Sequence, residues 1–307
     1  MPTVEKVTES CGLGEGPHWD ASSQSLFLVD VPRKQILKYT PSTNKLTKVT
    51  LEKQASFVIP VDGKKNEFVI SQGNELAIIS WDGESDNIKI VQNICGVETS
   101  TETPKSFNDA KCDSLGKLWA GTLSIAADFA KTQPVGTLYS IDTKKQLKSH
   151  VDKIFCSNGL AFNDQTQKMF YIDSLAGSVD QFDFDLASAT ISNRKPWFTL
   201  KKLGIPGFPD GMTIDSDGNL WVAVFGGSRV LKLDGHKSET LLDTVNIQTE
   251  QVTSVAFGGP NLDELYVTTG GIEFGEMKPS GPGAGAVYRV TGLGTKGLPA
   301  VNFKLNV

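Results

Sequence analysis

A short pattern of a polar residue, a glycine and alternating apolar residues recurs along the chain and limits the folds that it can adopt. The clearest copies are Asn158-Gly-Leu-Ala-Phe-Asn163 and Asp210-Gly-Met-Thr-Ile-Asp215, and each is followed by a turn and a second apolar run. Asn108 opens a related segment 50 positions before Asn158, and Asp210 follows Asn158 by 52 positions. A period of about 40–50 residues, with roughly four strands in each unit, is typical of β-propellers.

Six such units span the chain. Their first strands fall in segments 16–20, 56–63, 108–116, 158–163, 210–215 and 253–258. Turn residues separate short apolar runs, and few stretches show a helical period. We therefore predict an all-β protein, a six-bladed β-propeller with four-stranded blades around a central channel, that occupies residues 1–307 as a single domain. Either segment 4–8 or segment 301–305 could add the strand that closes the ring, and the sequence leaves this choice open.

Charge and composition narrow the choice of partners. The formal net charge of -5 argues against nucleic acid or an anionic membrane surface as a partner. No apolar run approaches the roughly 20 residues that span a bilayer, and residues 1–6 lack the apolar core of a signal peptide. We expect a cytoplasmic monomer that binds a small molecule. Three histidines occur, and we expect His150 and His236 in exposed turns, which disfavours a histidine-rich metal site.

The residues at which the first strands begin are the candidates for chemistry. In a propeller these strands line the central channel, so their entry residues face its mouth. Here these residues are Glu15, Asn108 with Asp109, Asn158 and Asp210, and glycine follows three of them directly. Two carboxylates around one axis repel each other unless a cation lies between them, and oxygen ligands suit calcium, magnesium or manganese, with zinc less well matched. The alternative is a polar plug that joins neighbouring blades by hydrogen bonds.

At these residues the sequence resembles the senescence-marker-protein/gluconolactonase/regucalcin family. The resemblance extends over nearly the whole chain, and four motifs carry it in the family's order. They are Leu13-Gly-Glu-Gly-Pro-His-Trp-Asp20, Phe107-Asn-Asp-Ala-Lys-Cys-Asp113 with Trp119-Ala-Gly-Thr122, Ser157-Asn-Gly-Leu160, and Pro209-Asp-Gly-Met-Thr-Ile-Asp215.

The resemblance implies roles for individual residues. Family members hold one divalent metal ion in the channel mouth, and Glu15, Asn158 and Asp210 match its ligands. Asp210 also matches the proton donor and acceptor of the lactonases, so it is the candidate catalytic residue. Asn108 matches a residue that contacts the substrate, and Asp109 matches a supporting group.

Two departures from the family pattern concern the substrate. Ser106 stands where sugar lactonases carry arginine, and Ala126 stands where they carry a substrate-contacting acid. The loops nearby are apolar, and we expect Ile125, Phe129, Phe162, Ile205 and Phe208 near the mouth. Ser106, Asn108 and Ala126 are therefore the candidate substrate-binding positions, for an aromatic heterocycle rather than a sugar.

Several functions stay open at this stage. Within the family the resemblance is strongest to the branch that acts on oxyluciferin, a thiazolinone, and it implies a metal-dependent hydrolase that yields 2-cyano-6-hydroxybenzothiazole for luciferin recycling. The alternatives are a sugar lactonase and a non-catalytic calcium-binding protein of the regucalcin type. A scaffold for protein partners is a third reading, which the predicted cluster of acids in the channel disfavours.

Overall fold

The strands pair in six separate four-stranded sheets, and each sheet is one blade of a ring. The computed structural model describes residues 2–124, 132–141 and 145–305, and 24 strands lie in these residues. Neighbouring strands within every blade are antiparallel. Around the channel the first strands of adjacent blades contact one another, apart from those of blades two and three, where Ser106–Cys112 contacts the second strand of blade two, Glu67–Gln72. The predicted all-β, six-bladed β-propeller is confirmed.

Blades one to three follow one another directly along the chain. Counted from the channel outwards, blade one contains β2 (Gly14–Asp20), β3 (Ser25–Asp30), β4 (Gln35–Thr40) and β5 (Lys45–Thr50); blade two contains β6 (Val58–Pro60), β7 (Glu67–Gln72), β8 (Glu75–Ser80) and β9 (Lys89–Gly96); blade three contains β10 (Ser106–Cys112), β11 (Leu118–Leu123), β12 (Gly136–Ile141) and β13 (Leu147–Ile154).

Blades four to six complete the ring, and the sixth takes its outermost strand from the start of the chain. Blade four contains β14 (Ser157–Asn163), β15 (Lys168–Asp173), β16 (Ser178–Asp185) and β17 (Thr190–Thr199); blade five contains β18 (Phe208–Ile214), β19 (Leu220–Phe225), β20 (Arg229–Leu233) and β21 (Leu241–Asn246); blade six contains β22 (Val252–Gly258), β23 (Glu264–Thr269), β24 (Tyr288–Thr291) and β1 (Thr3–Lys6).

Pairing of β1 with β24 settles which end of the chain closes the ring. Val4 lies opposite Val290 in an antiparallel register, and Val4 also packs against the core between blades five and six. The other candidate segment runs elsewhere, because Phe303 forms a parallel bridge to Val61 of blade two. Closure by the first strand therefore leaves β24 without a free edge.

Hydrophobic clusters fill the spaces between adjacent blades, with one cluster in each of the six interfaces. Trp119 of blade three, for example, packs against Phe162 and Phe184 of blade four. Flat sheets stacked in this way bury both faces, which explains why the second strand of each blade is almost continuously apolar. The hydrophobic core therefore lies between the blades, and the polar candidate residues lie in the central channel.

A buried aspartate fixes the turn after the first strand in blades three and five. Asp215 accepts hydrogen bonds from the backbone N–H groups of Asp217 (3.0 Å) and Asn219 (2.8 Å) and from the indole N–H of Trp221 (3.0 Å). Asp113 and Trp119 repeat the arrangement at 3.0 Å. These carboxylates are therefore structural, although they stand close in sequence to the candidate site.

His150 is not the exposed turn residue that the sequence suggests. It lies in β13, where its ring packs against Trp119 at a tilt of 31° with centroids 4.3 Å apart, and its Nε2 shares a hydrogen bond of 2.8 Å with Ser140. Burial lowers the pKa of His150 to about 4, so the ring is neutral at pH 7. His236 does lie in an exposed turn.

In the described part of the chain, no helix is long and apolar enough to cross a membrane.

Candidate functional site

Five of the six channel-lining strands contain a β-bulge of one extra residue near their start. In β18, two residues separate Pro209 from Met212, whereas only one separates their partners Val224 and Val222 in β19. A shift of one residue also occurs in β2, β10, β14 and β22, while β6 of blade two pairs without one. A bulge breaks the alternation of a strand and redirects a side chain. Here the bulges turn polar side chains towards the axis.

The candidate residues predicted from the sequence lie at these bulges. Asn108, Asn158 and Asp210 are the first residues of their bulges, and Glu15 directly precedes the bulge of β2. All four line one cavity of about 280 Å³, which we call the mouth cavity. Ser106 lies on its wall, and Ala126 lies outside the described residues.

Hydrogen bonds fix the two amides of the mouth cavity. The Asn108 Nδ2 group donates to Asn158 Oδ1 at 3.0 Å and to the backbone carbonyl of Ser157 at 2.8 Å. The Nδ2 group of Asn158 donates in turn to Ser174 Oγ at 2.7 Å. This network sets the orientation of the Asn158 amide, and its Oδ1 retains one lone pair for a further partner. The amides thus join blades three and four, as the polar-plug alternative proposes.

The two carboxylates do not fit that alternative. Glu15 accepts a hydrogen bond from the N–H of its neighbour Gly16 at 3.1 Å, and within the described ranges no group donates one to the Asp210 side chain. Burial, and next the charge of Asp109, raise the pKa of Glu15 to about 8. Burial and the charges of Glu15 and Asp109 raise the pKa of Asp210 well above its usual range. The repulsion between two such buried carboxylates is relieved when they bind protons or when a cation lies between them.

The donor set fits a hard divalent cation. Glu15 and Asp210 supply carboxylate oxygens and Asn158 supplies an oriented amide oxygen, which are calcium, magnesium or manganese ligands. Among the residues that the structure describes, no group of three or more His, Cys, Asp or Glu side chains could hold a metal ion, so an ion at the mouth depends on the amide. Burial and nearby carboxylates raise the pKa of Cys156 well above its usual value, which disfavours a zinc thiolate site.

Apolar side chains form most of the wall of the mouth cavity. Phe208, Phe225 and Phe274 line it, and the rings of Phe225 and Phe274 meet edge to face with centroids 5.4 Å apart. Of the five apolar residues predicted near the mouth, Phe208 is confirmed, while Ile125 and Phe129 lie outside the described residues. The prediction was wrong for the remaining two: Phe162 lines the opposite end of the channel, and Ile205 packs into the core between blades four and five.

Gly211 shows why glycine follows the polar residue. Its φ is not positive, so the left-handed conformation is not the reason. A Cβ at this position would stand 1.9 Å from Ser254 Oγ of blade six. The first strands of neighbouring blades therefore approach too closely for a side chain at the bulge, and glycine provides the necessary space.

The opposite end of the channel forms a second cavity, of about 320 Å³, which we call the distal cavity. Asp109 and Lys111 of β10 both line it, and segment 298–301 forms part of its rim. Burial raises the pKa of Asp109 and Lys111 lowers it. Lys111 was not among the residues predicted from the sequence, although its position two residues after Asp109 places both on one face of the strand.

Comparisons with known proteins agree with this architecture. The family model described as SMP-30/Gluconolactonase/LRE-like region matches residues 13–271. Regucalcin of Danio rerio is 33% identical over 299 residues, which cover 97% of this chain and 96% of the relative. Regucalcin of Homo sapiens is 34% identical over 302 residues, with the same coverage of 97% and 96%.

Solved structures include two that match almost the whole chain. A luciferin-regenerating enzyme is 46% identical, with a TM-score of 0.95 over 99% of this chain and 100% of that one. A calcium-binding protein, regucalcin from Agrobacterium tumefaciens, has a TM-score of 0.84 over 99% of this chain and 98% of its own, at 19% identity. The latter likeness is one of fold alone.

Proposed function

Because the chain belongs to the SMP-30/gluconolactonase/LRE-like family, we propose that it is a divalent-metal-dependent hydrolase that opens a small cyclic carbonyl compound. The observation that carries this proposal is the pair of buried carboxylates, Glu15 and Asp210, beside the oriented oxygen of Asn158. Burial and the charges of neighbouring carboxylates raise both pKa values, and a bound cation would offset both effects.

We propose oxyluciferin as the substrate, with 2-cyano-6-hydroxybenzothiazole as the product for luciferin recycling. Water adds to the thiazolinone carbonyl, the bonds from ring nitrogen to that carbonyl and from ring sulfur to the imine carbon break, and a nitrile and mercaptoacetic acid result. The 46% identity to a luciferin-regenerating enzyme supports this choice. The phenylalanines of the mouth cavity also support it, because a flat aromatic ring gains roughly 25 cal/mol for each Å² of apolar surface buried.

Each residue of the mouth cavity has a part in this proposal. Glu15, Asn158 and Asp210 would hold the ion, which polarises a carbonyl and lowers the pKa of water. Asp210 takes the proton from the attacking water and returns it to the departing sulfur. Asn108, fixed by its bonds to blade four, contacts the substrate beside the ion, and the apolar wall excludes bulk water.

Kinetics with two substrates test the proposal. The protein is freed of metal by a chelator, calcium, magnesium or manganese is added back, and turnover of oxyluciferin is compared with that of gluconolactone. We expect metal-dependent turnover of oxyluciferin and little hydrolysis of the sugar lactone. Efficient hydrolysis of gluconolactone without any response to oxyluciferin would contradict the substrate, and turnover that is indifferent to the chelator would contradict the metal.

A non-catalytic calcium-binding role is the second candidate. The regucalcin relatives at 33–34% identity favour it, as does a donor set made only of oxygen atoms. The same experiment separates the two, because this role predicts calcium binding with no turnover of either substrate.

A further inference from the structure

Lys111 connects two blades that are not neighbours in the ring. It projects from β10 of blade three into the channel, and its Nζ donates a hydrogen bond of 2.6 Å to the backbone carbonyl of Met212 in β18 of blade five. Blade four lies between them in the order of the chain. The bond therefore crosses the channel rather than following the contact between adjacent blades.

The acceptor of this bond has a specific place. Met212 is the first residue after the bulge that contains Asp210 and Gly211, and it is where β18 regains its register with β19. Holding the Met212 carbonyl therefore fixes one end of the bulge. Its other end, at Pro209, is fixed by pairing with Val224.

Other strands that carry candidate ligands or Asn108 are held in a comparable way. Thr253 of blade six donates to the carbonyl of Gly14, which precedes Glu15, at 2.6 Å. Ser56 of blade two donates to the carbonyl of Asn108 at 2.6 Å. Both donors are neutral hydroxyls from an adjacent blade, so Lys111 is unusual among these three in carrying a charge.

A charged donor in the channel needs a reason, since burying an ammonium group is costly. Within the described residues, no carboxylate lies within ion-pair distance of Lys111, and Met212 accepts its one hydrogen bond. The charge of Lys111 lowers the pKa of Asp109, two residues away. The charge of Asp109 in turn raises the pKa values of Glu15 and Asp210. Asp109 is the carboxylate whose charge acts on Lys111: burial lowers the pKa of the ammonium group, and Asp109 raises it.

We propose that Lys111 is a positioning residue for the candidate metal site: its ammonium group is a built-in cation that clamps the Asp210 bulge from the distal cavity and balances the charge of Asp109. The clamp rests on the geometry alone, whereas its effect on metal binding rests on the proposed function. The two parts are tested by separate measurements.

The first measurement needs no metal. In metal-free protein, Lys111→Met removes the ammonium group with little change in volume, and Lys64→Met, at an exposed turn, is the control. We expect amide hydrogen exchange to accelerate in residues 208–214 of the Lys111→Met variant, with the other blades unchanged. Unchanged exchange in this segment, or an equal acceleration in all six blades, would overturn the clamp. If this variant does not fold, Lys111→Gln, which keeps a neutral donor, takes its place.

The second measurement is the affinity for calcium. We expect Lys111→Met to weaken binding by about tenfold or more, since a hydrogen bond from a charged group is lost beside a ligand. Unchanged or tighter binding would overturn the positioning role. If the wild-type protein binds no divalent ion, the proposed function fails. The exchange measurement still tests whether Lys111 holds the Asp210 bulge.

Chemical rescue separates a built-in cation from a packing effect. Lys111→Ala leaves space that opens to the distal cavity, and n-propylammonium matches the missing atoms. We expect this ion to restore calcium affinity and slow exchange in residues 208–214, whereas n-propanol, which has a hydroxyl donor but no charge, does not. Equal rescue by both compounds, or by neither, would contradict a role for the charge.

Discussion

Gly159 of blade four lies directly against the backbone of Asp210 in blade five. A Cβ at position 159 would stand 2.8 Å from the Asp210 carbonyl oxygen and 2.6 Å from the Met212 Cβ. The φ of Gly159 is not positive, so the requirement for glycine comes from this close approach. The bulges that carry Asn158 and Asp210 therefore set each other's separation, and with it the span between two candidate ligands.

Substitution of this glycine tests the relationship. We expect Gly159→Ala to push the two bulges apart, lower the unfolding free energy by about 1–3 kcal/mol because of overpacking, and weaken calcium binding. Gly177→Ala is the matched control, because Gly177 has a φ of 71° in a turn with open space around it. It should lower stability by about 1 kcal/mol without changing calcium affinity. Equal calcium affinities for both variants would contradict the relationship.

The two buried carboxylates should destabilise the protein when no metal is bound. Asp210→Asn removes a charge that no donor among the described residues offsets, so we expect the metal-free variant to unfold at a higher denaturant concentration than the wild type. Calcium affinity should fall by about 100-fold or more, since a ligand charge is lost. Asp243→Asn, at an exposed position, is the control. A variant that keeps full metal-dependent activity would show that the site is misplaced.

The raised pKa of Glu15 predicts how stability depends on pH. Its pKa is about 8 in the folded protein against an ordinary value of 4.5, so between these values the folded state holds a proton that the unfolded state has lost. The stability of the metal-free protein should therefore fall as pH rises from 4.5 to about 8. Because Glu15 and Asp210 titrate together, the measurement is the difference in Tm between wild type and Glu15→Gln across this range. A constant difference would contradict the shift.

Calcium affinity should follow the opposite trend in the same pH range. Binding requires the charged carboxylates, so below about 8 the ion must displace protons. We expect affinity to rise with pH up to that value and then to level off. Proton release measured by calorimetry in buffers of different ionisation enthalpy checks this, and binding without proton release at pH 7 would contradict it.

Selectivity should depend on positions 106 and 126, where this chain carries serine and alanine. Ser106→Arg together with Ala126→Glu restores the pair found in sugar lactonases, so we expect preference to move from oxyluciferin towards gluconolactone.

The aromatic wall predicts the complementary result: Phe225→Ala should raise the KM for oxyluciferin with a smaller effect on kcat. Ratios of kcat/KM for both substrates measure each change. No movement in either variant would mean that selectivity is determined by other residues.

Ring closure by β1 should be necessary for stability. Deletion of residues 1–6 exposes the edge of β24 and removes Val4 from the core, and we expect a lower unfolding free energy and self-association. Glu5→Ala is the control, because it removes only the partly exposed ion pair with Arg289 at 2.7 Å and should change stability by less than about 1 kcal/mol. A monomeric deletion variant with unchanged stability would contradict this prediction.

The propeller could be predicted from the repeat, because in each unit a polar residue marks the start of the first strand and a turn follows that strand. Ring closure was not predictable, since Val4 and Val301 stand in similar apolar segments and only the structure shows which finds a free edge. Phe162 was misplaced because four residues of strand, at about 3.3 Å each, carry the chain about 13 Å from Asn158 along the channel.

The candidate site was partly predictable as well. Asn158 and Asp210 stand out because a glycine follows each in the same strand context. The network that orients the Asn158 amide was not visible, since Asn108 and Ser174 reach it from other strands. Lys111 was missed because a lysine in a strand normally points to solvent, although strand alternation places it on the same face as Asp109.

The pairing of β1 with β24 has a consequence for biosynthesis. Thr3–Lys6 leaves the ribosome long before Tyr288–Thr291, its partner, and at about 5–20 residues per second the delay is on the order of 15–60 s. Glu15 follows β1 in the chain, and β1 stays unpaired until β24 has been synthesised. The ring that brings the candidate ligands together is therefore not closed until the sixth blade has formed. Translation should therefore reach the sixth blade before the candidate ligands can bind a divalent cation, and a nascent chain stalled before that blade should bind none.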